Sequence, residues 1–211
     1  MDITTLFITA LIVGLSGAMM PGPLLTVTIM ESAFRGVIAG PLIVLGHALL
    51  ELILVLALLG GLSVYLKMTL VTIIISVVGG AFLIFIGLNM VNDTIKGRVV
   101  LDSDNSEIIK GINKMHPVWA GILVSLSNPF WVVWWATVGL TYLTTALNSG
   151  TAGIVSFFTG HIMADLLWYC LVAAAIASGR KLVKQQVYQA IILICGLFLI
   201  GLGGYFIWTV I

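Results

Sequence analysis

The sequence predicts an all-α integral membrane protein, with six transmembrane helices arranged as two inverted three-helix repeats and the first and fourth helices broken. Three observations predict it. Of the 211 residues, 61% are hydrophobic and 8% charged, with a mean hydropathy of +1.22. A soluble domain carries about 25% charge, so this chain has too little to cover a water-facing surface. Six apolar stretches are long enough to cross the hydrocarbon as helices, which takes about 20 residues. Finally, helix breakers and acid–histidine pairs recur at matching places in the two halves of the chain.

The composition also excludes whole classes of function. A soluble enzyme and a nucleic-acid binder are both ruled out, the latter because a net charge of +1 leaves no basic footprint. Cys170 and Cys195 lie in apolar runs without metal or redox spacing, so no disulfide scaffold and no cofactor is expected. The opening MDITTLF has no basic n-region, and the first apolar stretch reads as a span rather than a cleaved signal.

The spans are expected at 3–30, 37–61, 69–91, 117–142, 153–178 and 187–211. Leu, Ile and Val lie all round them, which marks spanning rather than surface helices. Runs such as LELILVLALLGGL do not alternate, which excludes a barrel. Residues 1–91 then form one three-helix unit, 92–116 a cytoplasmic linker loop and 117–211 a second unit. With the N-terminus outside, eight of the nine basic residues fall in cytoplasmic loops. These are Arg35; Lys96, Arg98, Lys110 and Lys114; then Arg180, Lys181 and Lys184. Only Lys67 falls outside. Basic residues favour the cytoplasmic side, so both termini are expected outside.

Tyr65, Trp119, Tyr142, Tyr188 and Trp208 sit near span ends, where amphipathic rings prefer the interface. Trp131, Trp134 and Trp135 lie deeper in the fourth span and are expected to face lipid or to pack, rather than to line a path.

The repeat emerges from three alignments. The breaker Ser16-Gly-Ala-Met-Met-Pro-Gly-Pro23 in the first span answers Ser125-Leu-Ser-Asn-Pro129 in the fourth. Gly46–His47 with Glu51 answers Gly160–His161 with Asp165. Gly80-x-Phe-Leu-Ile-x-x-Gly87 answers Gly196-x-Phe-Leu-Ile-x-x-Gly203. The offsets are 108, 114 and 116 residues. Three helices is an odd number, so the second unit enters the membrane from the opposite side, which is the organisation of many secondary transporters.

Pro21, Gly22 and Pro23 break the first helix, because proline lacks the amide proton and clashes with the preceding turn. A helix restarting there presents open N–H groups and a partial positive charge, which suit a carboxylate. The amides around Gly22–Leu24 are therefore candidate binding groups, with Asn128 before Pro129 supplying a side-chain amide or a cap at the second break. A simple kink satisfied by Ser16, Thr26 or Ser127 is the alternative.

His47 lies about ten residues into its span, roughly 15 Å deep at 1.5 Å per residue, with Glu51 one turn on; His161 and Asp165 repeat the arrangement. The i, i+4 spacing puts each pair on one helix face. Acids at that depth should face the bundle interior and can exchange protons with their histidines, making Glu51, Asp165, His47 and His161 candidates for proton coupling. A static polar clamp between helices is the alternative. His116 carries no expected role. Gly36 and Gly40, with Gly79, Gly80, Gly196, Gly201, Gly203 and Gly204, are expected to allow close helix approach, within one chain or in a homodimer.

At Gly17 through Pro23, at Gly46–His47 with Glu51, and at Ser127–Asn128–Pro129 the chain resembles the lysine-exporter (LysE/RhtB-type) superfamily of small amino-acid efflux proteins. Length, six spans and the two-half plan agree along nearly the whole chain. The resemblance implies export of an amino acid or close derivative from the cell across the plasma (inner) membrane, by antiport against protons or another ion. The wider superfamily also includes metal-ion exporters, and thiol-reductant conductors with cysteines at the breaks; no cysteine stands beside Pro21 or Asn128–Pro129. On these residues the expected substrate-binding set is Pro21, Gly22, Pro23, Leu24, Asn128, Pro129, Glu51 and Asp165. The substrate carboxylate would meet the half-helix amides and its ammonium Glu51 or Asp165. A divalent-cation exporter using Glu51, Asp165, His47 and His161 is the competing transport reading. A membrane enzyme or scaffold is a third, and His47-x-x-x-Glu51 lacks the HExxH spacing of a zinc protease.

Overall fold

A computed structural model of the chain describes residues 1–62, 68–98, 115–179 and 185–211. The expected interface residue Tyr65, the topology-setting Lys67, Lys110, Lys114, Arg180, Lys181 and Lys184, and most of the 92–116 linker lie outside the described residues, as does the side chain of Tyr188. The described chain is helical: α1 Ile3–Ala18, α2 Pro23–Arg35, α3 Ala39–Ala57, α4 Thr69–Ile95, α5 Pro117–Leu126, α6 Pro129–Trp134, α7 Leu140–Leu147, α8 Gly150–Gly179 and α9 Gln185–Trp208.

Among these, five helical stretches are long and apolar enough to cross a membrane: Pro23–Gly61, Thr69–Ile95, Pro129–Leu147, Gly150–Gly179 and Gln185–Trp208. Helices α1 and α5 are apolar but shorter. The expected spans 3–30 and 117–142 are thus each two helices with a gap, at 19–22 and 127–128.

The gaps follow from proline chemistry. Pro23, Pro117 and Pro129 each stand at the first position of a helix, where the missing N–H leaves no bond unmade and the fixed φ is already helical. Pro21 pushes Met20 out of helical geometry and ends α1. Helix α2 runs on to Arg35 and joins α3 through a single 3₁₀ turn, Gly36–Ile38. Gly36 has φ +76°, a left-handed conformation that a side chain would strain. It is a turn residue and makes no close helix approach within the chain, and Gly201 and Gly204 likewise meet no neighbour among the described residues of the chain. Two π-helical turns, Leu58–Leu62 after α3 and Trp135–Gly139 between α6 and α7, were not legible in the sequence.

Gly40, Gly79, Gly80, Gly196 and Gly203 do sit at close approaches. Gly80 faces the Gly203 carbonyl and Gly87 the Gly196 carbonyl, so α4 and α9 pack antiparallel with their two glycine motifs exchanged. Helices α1 and α8 run parallel: the Ser156 hydroxyl donates to Ile3 O (2.6 Å), Gly160 abuts Phe7 O, and Gly14 faces Ala164. In the corresponding contact between the halves, Gly46 of α3 abuts Val118 O of α5. Small residues let such helices touch backbone to backbone, which strengthens dispersion contact where lipid supplies no hydrophobic drive.

Two apolar clusters flank the centre. One gathers Val27, Ile43, Leu83, Val124, Ile192 and Leu199; the other gathers Leu6, Val55, Val132, Trp135, Leu143 and Phe157. Ile53, Leu56, Val78, Leu171 and Ile194 are all 60% or more exposed on the outside. Such a surface is costly in water and ordinary against acyl chains. Two buried acids lie away from the centre, each held by a part-exposed arginine one turn or so on: Glu31 with Arg35 (2.6 Å) and Asp93 with Arg98 (3.1 Å). Arg35 also donates to Met115 O (3.1 Å), tying the end of α2 to the start of α5.

Candidate functional site

Both helix gaps and both acid–histidine pairs open onto one cavity of about 120 Å³. Of the residues expected from sequence, Pro21, Gly22, Leu24, Asn128, His47, Glu51, His161 and Asp165 line it. Pro23 and Pro129 are buried at the starts of α2 and α6 and do not line it; they act by placing the helix ends.

The four titratable side chains converge from α3 and α8. Glu51 is 1% exposed, Asp165 4%, and His47 and His161 6% each. Their nearest ligand atoms all fall within 4.8 Å of one another. Glu51 is the hub. His47 Nε2 lies 3.2 Å from its Oε1, and His161 Nε2 lies 3.0 Å from its Oε2. Asp165 Oδ2 is 3.6 Å from His47 Nε2 and 3.8 Å from His161 Nε2. Each acid therefore faces both its own helix's histidine and the opposite one. Burying an acid at mid-membrane costs about 2.5–3.5 kcal/mol even on mild scales, and these contacts offset it.

Two indoles complete the Glu51 shell. Trp131 Nε1–H donates to Glu51 Oε1 at 2.9 Å and Trp135 Nε1–H at 2.8 Å. Trp134 stacks on the His161 ring, with centroids 4.6 Å apart and planes 24° from parallel. These three tryptophans were expected to face lipid or to pack rather than to line a path; packing holds for Trp135, and for Trp131 and Trp134 the expectation is overturned. Trp135 is fully buried, and Trp131 and Trp134 line the cavity. The physical reason is the indole N–H, which needs a polar partner at this depth and finds the carboxylate. A signal was present: Trp131 and Trp135 are four apart, on one helix face, like each acid–histidine pair.

Several further cavity residues escaped the sequence reading, among them Phe130, Tyr169, Gly14, and Ser125 as a ring partner. Ser125 Oγ is 2.7 Å from His47 Nδ1. The equivalent His161 Nδ1 has no hydrogen-bond partner among the described residues and looks onto Gly14, where a Cβ would stand 3.1 Å away. The helix starts differ in the same way. Asn128 Oδ1 accepts from Phe130 N (3.1 Å), capping α6 as expected, whereas α2 begins at Gly22 with no side-chain cap. Ser16, Ser127 and Thr26 donate to the carbonyls of Val13, Leu123 and Gly22 within their own helices; Leu123 O and Gly22 O already accept the backbone N–H of Ser127 and Thr26, so these hydroxyls do not fill groups freed at the gaps. His116, given no role from sequence, caps α5 by accepting from Val118 N (3.4 Å).

Residues 15–209 match the LysE type translocator family. The chain belongs to that family. The LysE match spans both gaps, both acid–histidine pairs and the α4–α9 crossing; that family is one of translocators rather than enzymes, and the apolar helices make the chain a multi-pass membrane protein. The chain is also 26% identical over 209 residues to the chemotactic transduction protein ChpE of Pseudomonas aeruginosa, covering 94% of this chain and 96% of that one. No solved structure matches it.

Proposed function

We propose that this LysE-type chain is a secondary exporter of an amino acid or close derivative, coupled to proton or ion counterflow by alternating access. The unit is two inverted three-helix repeats, 1–91 and 117–211, joined by the 92–116 linker in the plasma (inner) membrane with both termini outside. The observation that carries the reading is the shared cavity, in which an uncapped helix start and a buried acid–histidine cluster face one space. A zwitterion asks for both: amide donors for its carboxylate and negative groups for its ammonium. Exchanged contacts support the inverted repeat, since Gly80 with Gly203 and Gly87 with Gly196 map onto each other when the halves are swapped. Proton exchange on Glu51 or Asp165 weakens the grip on the ammonium and couples release to an inward proton as the halves rock.

Purified protein in liposomes, with an imposed pH gradient, tests this. The wild type should drive efflux of at least one amino acid, and Glu51→Gln should abolish the response to the gradient. Undiminished gradient-driven exchange in that variant removes Glu51 as the coupling group.

The convergence of two imidazoles and two carboxylates within 4.8 Å favours one second reading, a divalent-cation exporter. These four side chains would suit Mn²⁺ or Zn²⁺. Metal flux in the same liposomes, with no amino-acid flux, decides for it.

A further inference from the structure

The two buried acids of the cavity differ by one methylene and by what surrounds them. Glu51 of α3 is long enough to meet both histidines, with His47 Nε2 at 3.2 Å and His161 Nε2 at 3.0 Å. Trp131 and Trp135 donate to its Oε1, and its Oε2 is closed off. A carboxylate offers about four lone-pair sites, and four ring nitrogens take up those of Glu51. Asp165 of α8 is shorter, and its Oδ2 stops 3.6 Å and 3.8 Å from the same two imidazole nitrogens. No indole reaches it. Counted from the helix starts at Pro23 and Pro129, the places of Trp131 and Trp135 fall in α2 to Leu25 and Ile29, which have no side-chain donor. Among the described residues no hydrogen bond reaches either Asp165 oxygen. Oδ2 is closed off but Oδ1 is not, and Asp165, 4% exposed, lines the cavity. A buried carboxylate oxygen without a donor is costly, so a ligand that donates there is favoured.

From this asymmetry we infer that Asp165 Oδ1, and not Glu51, receives the substrate's ammonium group. The substrate then carries one such group beside its carboxylate, as an amino acid with an uncharged side chain does. Among the described residues lining the cavity, Glu51 and Asp165 are the only acids, and no lysine or arginine is present. With Glu51 enclosed by its donors, one open negative atom remains. The second ammonium of a diamino acid would be buried there unpaired, which is costly. Phe130, Trp131 and Tyr169 offer apolar surface to a side chain instead. The inference rests on the exporter reading for an amino acid as substrate, and it narrows that reading. Asp165 grips the ammonium, while Glu51 acts on it only through the imidazoles that the two acids share.

Detergent-purified full-length protein with isotopically labelled side-chain carboxyls is titrated with methylammonium and followed by carboxyl NMR. The chain has eight acids, so each resonance is assigned by single substitution. The Asp165 resonance should move and the Glu51 resonance should stay. Asp165→Asn keeps the shape and removes the charge. It should weaken methylammonium binding about tenfold or more, the loss of one charge-assisted hydrogen bond. Trp131→Phe removes the indole donor that lines the cavity and should make Glu51 a second responding acid. An Asp165 resonance indifferent to methylammonium, or a Glu51 resonance that moves in the wild type, overturns the inference. So does undiminished binding in Asp165→Asn, or a Glu51 resonance still silent in folded Trp131→Phe. The wild-type resonances decide the matter even where a variant does not fold. Amino acids in a thermal-shift series separate the two claims. L-Ornithine is L-norleucine with an ammonium in place of the terminal methyl, and L-alanine is smaller than both. Alanine or norleucine should stabilise the protein at concentrations about tenfold or more below ornithine. If ornithine matches or exceeds both, the single-amine assignment fails and the exporter reading stands. If no amino acid binds while methylammonium moves Asp165, the subsite stands and the amino-acid reading fails.

Discussion

The two helix gaps share a scaffold and differ in polar chemistry. The second, at 127–128, is closed by its own side chains: Asn128 caps α6, and Ser125 satisfies His47 Nδ1. The first, at 19–22, is left open, with Gly22 at the start of α2 and Gly14 beside His161 Nδ1. Backbone contacts match across the halves while hydrogen-bond partners do not. Duplicated helices can therefore supply one frame while the polar side chains carried on it differ between the two gaps.

Shared contacts should fail together. A Cβ at Gly46 would run into Val118 O, and one at Gly160 into Phe7 O, both rigid backbone. Gly46→Ala and Gly160→Ala should each cost about 3 kcal/mol or more, as overpacking between helices that cannot part does. Thermal unfolding in detergent measures this. Gly17→Ala is the control: its Cβ would stand 3.5 Å from Trp134 Nε1, an ordinary contact, and should change little. If only one of the abutting glycines is intolerant, the contacts are not equivalent and the matched frame is lost.

Unshared polar groups should fail separately. Ser125→Ala leaves His47 Nδ1 buried without its hydrogen-bond partner and should cost about 1–3 kcal/mol. Asn128→Ala uncaps α6 for about 1 kcal/mol. Gly22→Asn, which would place a cap at α2, should hold or raise stability while weakening any carboxylate bound there. Equal losses at Ser125 and Gly22 would erase the contrast.

Much of this frame was legible in the sequence, because proline breaks and i, i+4 pairs are local features. Depth along a span can be counted from its ends, so Glu51, Asp165, His47 and His161 were placed correctly relative to one another along their helices. Rotation about the axis cannot be counted so simply. A span apolar all round gives no rotation, so packing was foreseen for its tryptophans but not that Trp131 and Trp134 would line the cavity. Gly14 was invisible for another reason. Its significance lies in what stands opposite, a ring nitrogen 147 positions later at His161, and a glycine in an apolar span signals nothing by itself. Glu31, fully buried beside Arg35, followed an i, i+4 pattern that its place near the expected loop obscured.

The smallest expected effect sits at the one helix start in the first half that is capped. Asp2 Oδ1 accepts from Thr5 N at 2.9 Å and Oδ2 from the Thr5 hydroxyl at 2.7 Å, so α1 begins closed where α2 begins open. The Thr5 amide bond, reinforced by its hydroxyl, holds the Asp2 carboxyl below its usual value of 3.8. A carboxyl depressed on folding contributes stability that is present above its unfolded value and lost as pH falls through the folded one. The first turn of α1 should therefore fray below about pH 4, with little change between pH 5 and 8. Hydrogen exchange at the amides of Thr4 and Thr5 reads this directly. Asp2→Asn, which caps without titrating, should remove the acid-dependent step and leave neutral-pH protection intact. Because Asp2 is exposed, the cavity should not feel the change. An acid step in ligand binding that vanished with Asp2→Asn would mean that the capped and open helix starts are coupled, and the division drawn between them would fail.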